Sequence, residues 1–167
     1  FVGTHYNLEK GIVQPNQEKM DRIIKKAAPF LTNASLPAVR WQSLIGLLQS
    51  LEPLVPWGRI NLRRIQQNLH ALWSPQIQSQ NHLVNIWPAT VKNVKWWMKE
   101  SNVMKGSPLH HPDPQFIINT DASLEGWGAH MDETQFQGQW SETEKTLHIN
   151  VLELRAVRYA LIKLDLP

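Results

Sequence analysis

Apolar and polar positions along this chain change rhythm several times, and each change marks an element. Tyr6-Asn7-Leu8 and Gly11-Ile12-Val13 flank Glu9-Lys10-Gly11, apolar segments either side of a glycine turn, which predicts a β-hairpin. Met20, Ile23, Ile24, Ala27 and Phe30 then recur at steps of three and four, with Lys19, Arg22, Lys25 and Lys26 on the other face. That is an amphipathic helix, with Asn16 as its cap and Pro29 as its end. A second helix is expected from Ser35 as cap, with Pro37 in its first turn. It carries Val39, Leu44, Ile45, Leu47, Leu48 and Leu51 inward and is closed by Pro53 and Pro56. A third has Ile60, Ile65, Leu69 and Leu72 inward and Arg59, Arg63 and Arg64 on its surface. The Gln- and Asn-rich stretch from Ser74 to Asn85 reads as a loop. A fourth helix opens at Thr90 or Asn93, with Val91, Val94, Trp97 and Met98 on one face.

From Lys105 to Pro114 three prolines, a glycine and the pair His110-His111 interrupt every periodicity, and this is the best domain boundary in the sequence. Beyond it Phe116-Ile117-Ile118 predicts a buried strand ending at Asn119-Thr120-Asp121. A second strand runs through Trp127, Gly128 and Ala129, and a third from Phe136 to Trp140. Helical spacing returns with Val151, Leu154, Val157, Ala160, Leu161 and Leu164. The fold class is therefore α+β: a hairpin and small helical bundle over residues 1–105, then an α/β portion from 113 to 167.

Charge sharpens this division. Residues 1–105 hold 13 Lys and Arg against 5 Asp and Glu, whereas 106–167 hold 4 against 9. A basic half suits polyanions, through counterion release, and an acidic half suits divalent cations. Solvated faces explain the same counts equally well. There is no Cys, which excludes disulfides, thiolate chemistry and Cys-type zinc sites, and there is no apolar run long enough to span a membrane. The eight Trp call for packing or base stacking. Trp41, Trp57, Trp73 and Trp97 are expected in the core, and Trp96 is left open. The opening Phe1-Val2-Gly3 suggests that the chain begins inside a longer polypeptide.

Two carboxylates stand out. Asp121 ends an apolar strand, where a rigid element would hold a ligand, although an Asp in that setting more often forms a turn. Asn150 and Glu153 fit a capping box, which would place Glu153 in the first turn of the last helix; a carboxylate there could meet Asp121 over the sheet. Ser123 lies near Asp121 and reads first as a turn hydroxyl; Glu125 and the pair Asp132-Glu133 read as surface turns, and His148 as a hydrogen-bonded structural residue. His110 and His111, without a Cys nearby, make a poor zinc site. Arg59, Arg63, Arg64, Lys92, Lys95 and Lys99 are the candidates for nucleic-acid contact, with a solvated helix face equally expected for any one of them.

Three blocks in this order carry a resemblance: Thr120-Asp121-Ala122-Ser123 with Gly126-Trp127-Gly128-Ala129, then Gly138 to Ser141, then His148 to Val157. Together they resemble the RNase H region of DIRS-type (tyrosine-recombinase) retrotransposons. Upstream, Phe1 to Tyr6 resembles the primer-gripping hairpin of the reverse transcriptase, and Leu54 to Arg59 with Trp96-Trp97 resembles the segment joining polymerase to RNase H. The resemblance implies the end of a polymerase palm with thumb and connection region, then the N-terminal half of an RNase H-like domain. It implies a parent protein that copies RNA into DNA and hydrolyses the RNA of RNA–DNA hybrids with two Mg²⁺ ions. It places Asp121 and Glu153 as the first two metal ligands and Ser123 near the site. The third and fourth ligands would follow Pro167, so this chain alone is expected to be inactive. The partners implied are RNA–DNA hybrid and template–primer, with no membrane and no small-molecule cofactor, in an intracellular setting. Two rivals stand beside this reading. One is a catalytically inactive, nucleic-acid-binding remnant of a decayed element. The other is a sugar-kinase or actin-like ATPase, which needs a second glycine-rich phosphate loop that the sequence lacks.

Overall fold

The expected hairpin forms first. In the computed structural model, which describes residues 4–110 and 113–164, β1 (Thr4–Asn7) pairs antiparallel with β2 (Ile12–Pro15) across a turn in which Gly11 takes a φ of +59°. Two compact units follow from the chain's packing, residues 1–111 and 112–167, and each is described by itself.

In the first unit α1 (Gln17–Ala27) is capped by Asn16, whose side chain accepts the Lys19 amide, as the sequence predicts. Pro29 does not simply end it but opens the short α2 (Pro29–Thr32). The Ser35 cap is not formed. Ser35–Pro37 is instead a strand, β3, and α3 (Ala38–Leu51) starts after it. The reason is local: Leu36 precedes a proline and is held extended, and its segment pairs with β4 (Leu83–Asn85), at the end of what the sequence marks as loop. A 3₁₀ turn (Glu52–Leu54) leads to α4 (Gly58–Leu72). The helix α5 (Pro88–Trp97) begins earlier than Thr90, because Pro88 takes the first helical position while Thr90 turns inward. Then come α6 (Glu100–Val103) and β5 (Ser107–Pro108), which adds to β2. The nominal linker thus contributes a strand to the first unit.

One apolar cluster holds this unit together. Met20, Ile23 and Ala27 of α1 meet Trp41, Leu44 and Leu48 of α3, Leu62, Ile65 and Leu69 of α4, and Val94 and Trp97 of α5. Phe30 meets Trp41 edge to face, with ring centroids 4.9 Å apart. Trp41, Trp73 and Trp97 are core residues, as expected, and Trp96 packs partly buried against Trp97. Trp57 is not: it is 71% exposed. Ile60, expected inward, is likewise exposed.

The second unit is a meander of β6 (Asn119–Ala122), β7 (Gly126–Met131) and β8 (Thr134–Gln139), followed by α7 (Glu142–Lys145) and α8 (Ile149–Lys163). The sheet order is β6-β7-β8, so the outer edge of β6 is unpaired among the described residues. Strand, strand, strand, helix is the order the sequence predicts, but β6 begins later than the apolar run. Phe116 and Ile117 stay exposed because the ladder stops at the Asn119–His130 pair; just beyond it β7 reverses at Asp132, which has a φ of +51°. The helix α8 lies on one face of β6 and β7 and buries Leu152, Ala156 and Ala160 against Trp127, Ala129 and Trp140. Its opposite side leaves Val151, Leu154 and Val157 exposed.

Candidate functional site

Strand alternation decides which way Asp121 points. Trp127 and Ala129 are buried towards α8 and pair with Ala122 and Thr120, so these four share the helix-side face. Asp121 pairs with Gly128 and lies on the other face, which continues through Asn119, His130, Gln135, Gln137 and Gln139. Gly126 and Gly128 keep the floor of that face low. Two shallow hollows open over it, of about 580 and 640 Å³, and Asp121 borders both. The result is an open, amide-lined trough with one carboxylate on its edge strand.

Glu153 is not in the first turn of its helix. The cap of α8 is His148, whose Nδ1 accepts the Asn150 amide at 3.2 Å, so Asn150 is already helical and Glu153 belongs to the second turn. There Glu153 is exposed on the flank of the helix, next to the buried Leu152. Asp121 therefore faces away from α8 while Glu153 rides on α8 itself. Neither takes part in the ion pairs found among the described residues. No group of three or more His, Asp or Glu that could hold a metal occurs among those residues.

Ser123 is committed to its turn. Its Oγ accepts the amides of Glu125 and Gly126 at 3.2 and 3.1 Å, and its carbonyl accepts Trp140 Nε1 at 2.8 Å. The turn thereby fixes the end of β6 that carries Asp121.

The capping box predicted at Asn150 exists one helix earlier. Ser141 caps α7, and Glu144 reaches back to the Ser141 amide at 2.9 Å and to its hydroxyl at 2.6 Å. Glu144 also accepts from the Tyr159 hydroxyl at 2.6 Å and from Arg155. The Ser141 hydroxyl, the Tyr159 hydroxyl and the Ser141 amide, with Arg155 beside them, hold its carboxyl at about 2, against an ordinary 4.5. The same carboxylate pushes the Tyr159 phenol up. Glu144 escapes the sequence reading, although Ser-x-x-Glu after Trp140 is its signal.

In the first unit the predicted basic residues are exposed. Arg59, Arg63 and Arg64 border a hollow of about 430 Å³ with Ile60 and Gln67. Of the three, only Arg59 has an ionic partner among the described residues, Glu52 at 3.8 Å. Lys92 and Lys95, one turn apart on α5, share a side of that helix, and Lys99 is exposed in extended backbone beyond its end. A further group appears only in three dimensions. Arg22, Lys25 and Lys26 of α1 and Arg40 of α3 border a hollow of about 410 Å³, where Lys26 Nζ donates to Ser43 Oγ. None of these four cations forms an ion pair among the described residues.

No family model matches this chain, and no curated relative does. Three solved structures of foamy viral protease-reverse transcriptase resemble it. One, of the form designated dRH in complex with double-stranded DNA, has 15% identity and a TM-score of 0.48 over 99% of this chain and 28% of its own. A second, also with double-stranded DNA, has 13% identity and a TM-score of 0.49, covering 99% and 33%. A third, with an RNA/DNA hybrid, has 13% identity and a TM-score of 0.48, covering 98% and 21%. The chain spans a third or less of the length of these proteins.

Proposed function

We propose that this chain is part of a retroelement reverse transcriptase with RNase H, of the DIRS type. Its first unit would hold template–primer, and its second would carry half of a nuclease site for RNA–DNA hybrids. One observation carries the reading. The Thr-Asp-Ala-Ser block lies on the edge strand of a three-stranded meander, and the helix that crosses the meander bears Glu153. The amide-lined trough beside Asp121 suits sugar hydroxyls and phosphates rather than an apolar ligand.

Under this reading Asp121 and Glu153 would hold Mg²⁺, and they fit as hard oxygen donors that form no ion pair among the described residues. Asp121 stands on β6, facing away from α8, and Glu153 stands on α8, so each would bring its carboxylate to the ion from a different element. Bound there, such ions activate water and steady a leaving oxygen. The protein's own part is to hold the two carboxylates on rigid elements and to keep the hybrid's backbone in the trough. The remaining ligands are expected from parent sequence following this chain.

The test is Mg²⁺-dependent cleavage of a labelled RNA–DNA hybrid by the chain joined to about one hundred following residues of its parent, enough to finish a typical domain. Asp121→Asn and Glu153→Gln are each expected to lower the rate by roughly 100-fold or more, since a lost metal ligand removes several kcal/mol of transition-state stabilisation. Wild-type rates in either variant, with the fold intact, would end the assignment. A folded extended protein that binds hybrid without cutting it would leave the second reading, a nucleic-acid-binding remnant.

A further inference from the structure

Trp57 combines three features that packing does not account for. The residue is 71% exposed, its backbone sits at φ 65° and ψ 5°, and it stands at the head of an arginine-bearing helix. A side chain of this size rarely occupies the left-handed region, and strain of that kind is kept where surrounding contacts enforce it. Here the contacts are visible. The Gly58 amide donates to Val55 O at 2.9 Å, closing a turn. Gly58 itself lies against the Trp97 ring, where an added Cβ would stand 3.0 Å from Cη2. On the other side the Trp57 carbonyl accepts Asn61 Nδ2 at 3.0 Å, and Asn61 Oδ1 accepts Asn93 Nδ2 at 2.9 Å. The turn is therefore clamped from α4 and α5, and the indole is thrown outward on a fixed base.

The helix that Trp57 heads is cationic. Arg59, Arg63 and Arg64 follow it within two turns, all exposed, and border one hollow with Ile60 and Gln67; Arg59 pairs with Glu52 at 3.8 Å, while Arg63 and Arg64 have no ionic partner among the described residues. An apolar protein partner would gain little from three guanidinium groups at the rim of its contact. A nucleotide uses both features, because its base stacks on an aromatic face and its phosphates pair with arginine. Bases inside a duplex are already stacked on their neighbours, so the free ring selects an unpaired one.

We propose that Trp57, with Arg59, Arg63 and Arg64, forms a site for an unpaired nucleotide next to a duplex, the base on the indole and the flanking phosphates on the arginines. The site lies wholly in the first unit and does not depend on Asp121 or Glu153.

The experiment is fluorescence anisotropy of the whole chain with two labelled DNA duplexes, one blunt and one with a four-nucleotide single-stranded overhang. Trp57→Gly removes the ring and relieves the left-handed backbone, so its thermal midpoint stays level or rises. It is expected to weaken overhang binding about 5- to 20-fold, the range for one lost stacking contact, and to leave blunt-duplex binding unchanged. Trp57→Phe keeps a stacking face and should bind the overhang within about 3-fold of wild type. The double change Arg63→Gln, Arg64→Gln should weaken both duplexes and flatten the salt dependence. The proposal is overturned if the wild-type chain binds neither duplex. Equal binding of the overhang by wild type and Trp57→Gly also overturns it, as does equal loss on both duplexes or a Trp57→Phe that behaves like the glycine variant. Hybrid cleavage does not enter this readout, so its failure leaves the outcome here intact.

Discussion

Glu144 shows what one carboxylate does when four donors converge on it. Its ionised form is held by Ser141, Tyr159 and Arg155, and its proton affinity falls from an ordinary 4.5 to about 2. A group whose folded pKa is depressed contributes stability that is fully present above the unfolded value and is lost as pH falls through the folded one. The window is therefore between about pH 4.5 and pH 2. Glu144→Gln is expected to melt below the wild type at pH 7, and the gap should close as pH drops through that window. Calorimetric melts at stepped pH check this; a gap of constant size across the range would remove Glu144's charge from the account. The sequence contains the Ser-x-x-Glu signal for this cap, but the same pattern at Asn150 competes with it. What separates the two is tertiary. Tyr159 and Arg155 lie one helix away from Glu144, whereas His148 takes the cap that Asn150 would have filled.

A buried amide adds to the apolar contacts that join three elements of the first unit. Asn68, on α4, accepts the Trp87 amide at 2.9 Å and the Thr90 hydroxyl at 2.8 Å, and donates to the Asn85 carbonyl at 3.0 Å. It therefore ties α4 to the end of β4 and to the start of α5. Asn68→Ala would leave the buried Thr90 hydroxyl and two part-buried backbone groups without their partner, and is expected to destabilise the chain by about 1–3 kcal/mol. Urea titration measures it, and a loss below about 0.5 kcal/mol, the size of an ordinary surface change, would contradict this role. Periodicity made the main helices legible, because each buries a stripe at steps of three and four, and the three strands of the second unit followed from short apolar runs bounded by turns, the first placed too early. It did not reveal Asn68, whose partners lie 17 to 22 residues away. Nor did it reveal β3 and β4, three residues each, because strands so short have no period to read. Trp57 was misjudged for a related reason: nothing in a Pro-Trp-Gly string tells a clamped left-handed turn from a packed one. Asp121 and Glu153 stand out in the sequence as candidate carboxylates, but the face each occupies is set by the register and by the true start of α8.

At the scale of the molecule, charge is divided as the sequence indicates, and in the first unit it is gathered into two separate basic hollows, one on α1 and α3 and one on α4. Each phosphate contacted lowers the slope of log affinity against log salt by about 0.9 on duplex DNA. Replacing Arg22, Lys25, Lys26 and Arg40 with Gln should therefore make the slope for a duplex shallower by roughly 2 to 4. An unchanged slope would show that this hollow faces no nucleic acid. The second unit poses a different problem, set by the open edge of β6. A row of unpaired amides and carbonyls does not distinguish its proper neighbour from any other extended chain. Until that edge is covered, a second copy of the same strand competes for it, and the competition sharpens with every rise in concentration. The strand that carries Asp121 is thus also the part of the protein where crowding would favour strand-to-strand association between copies.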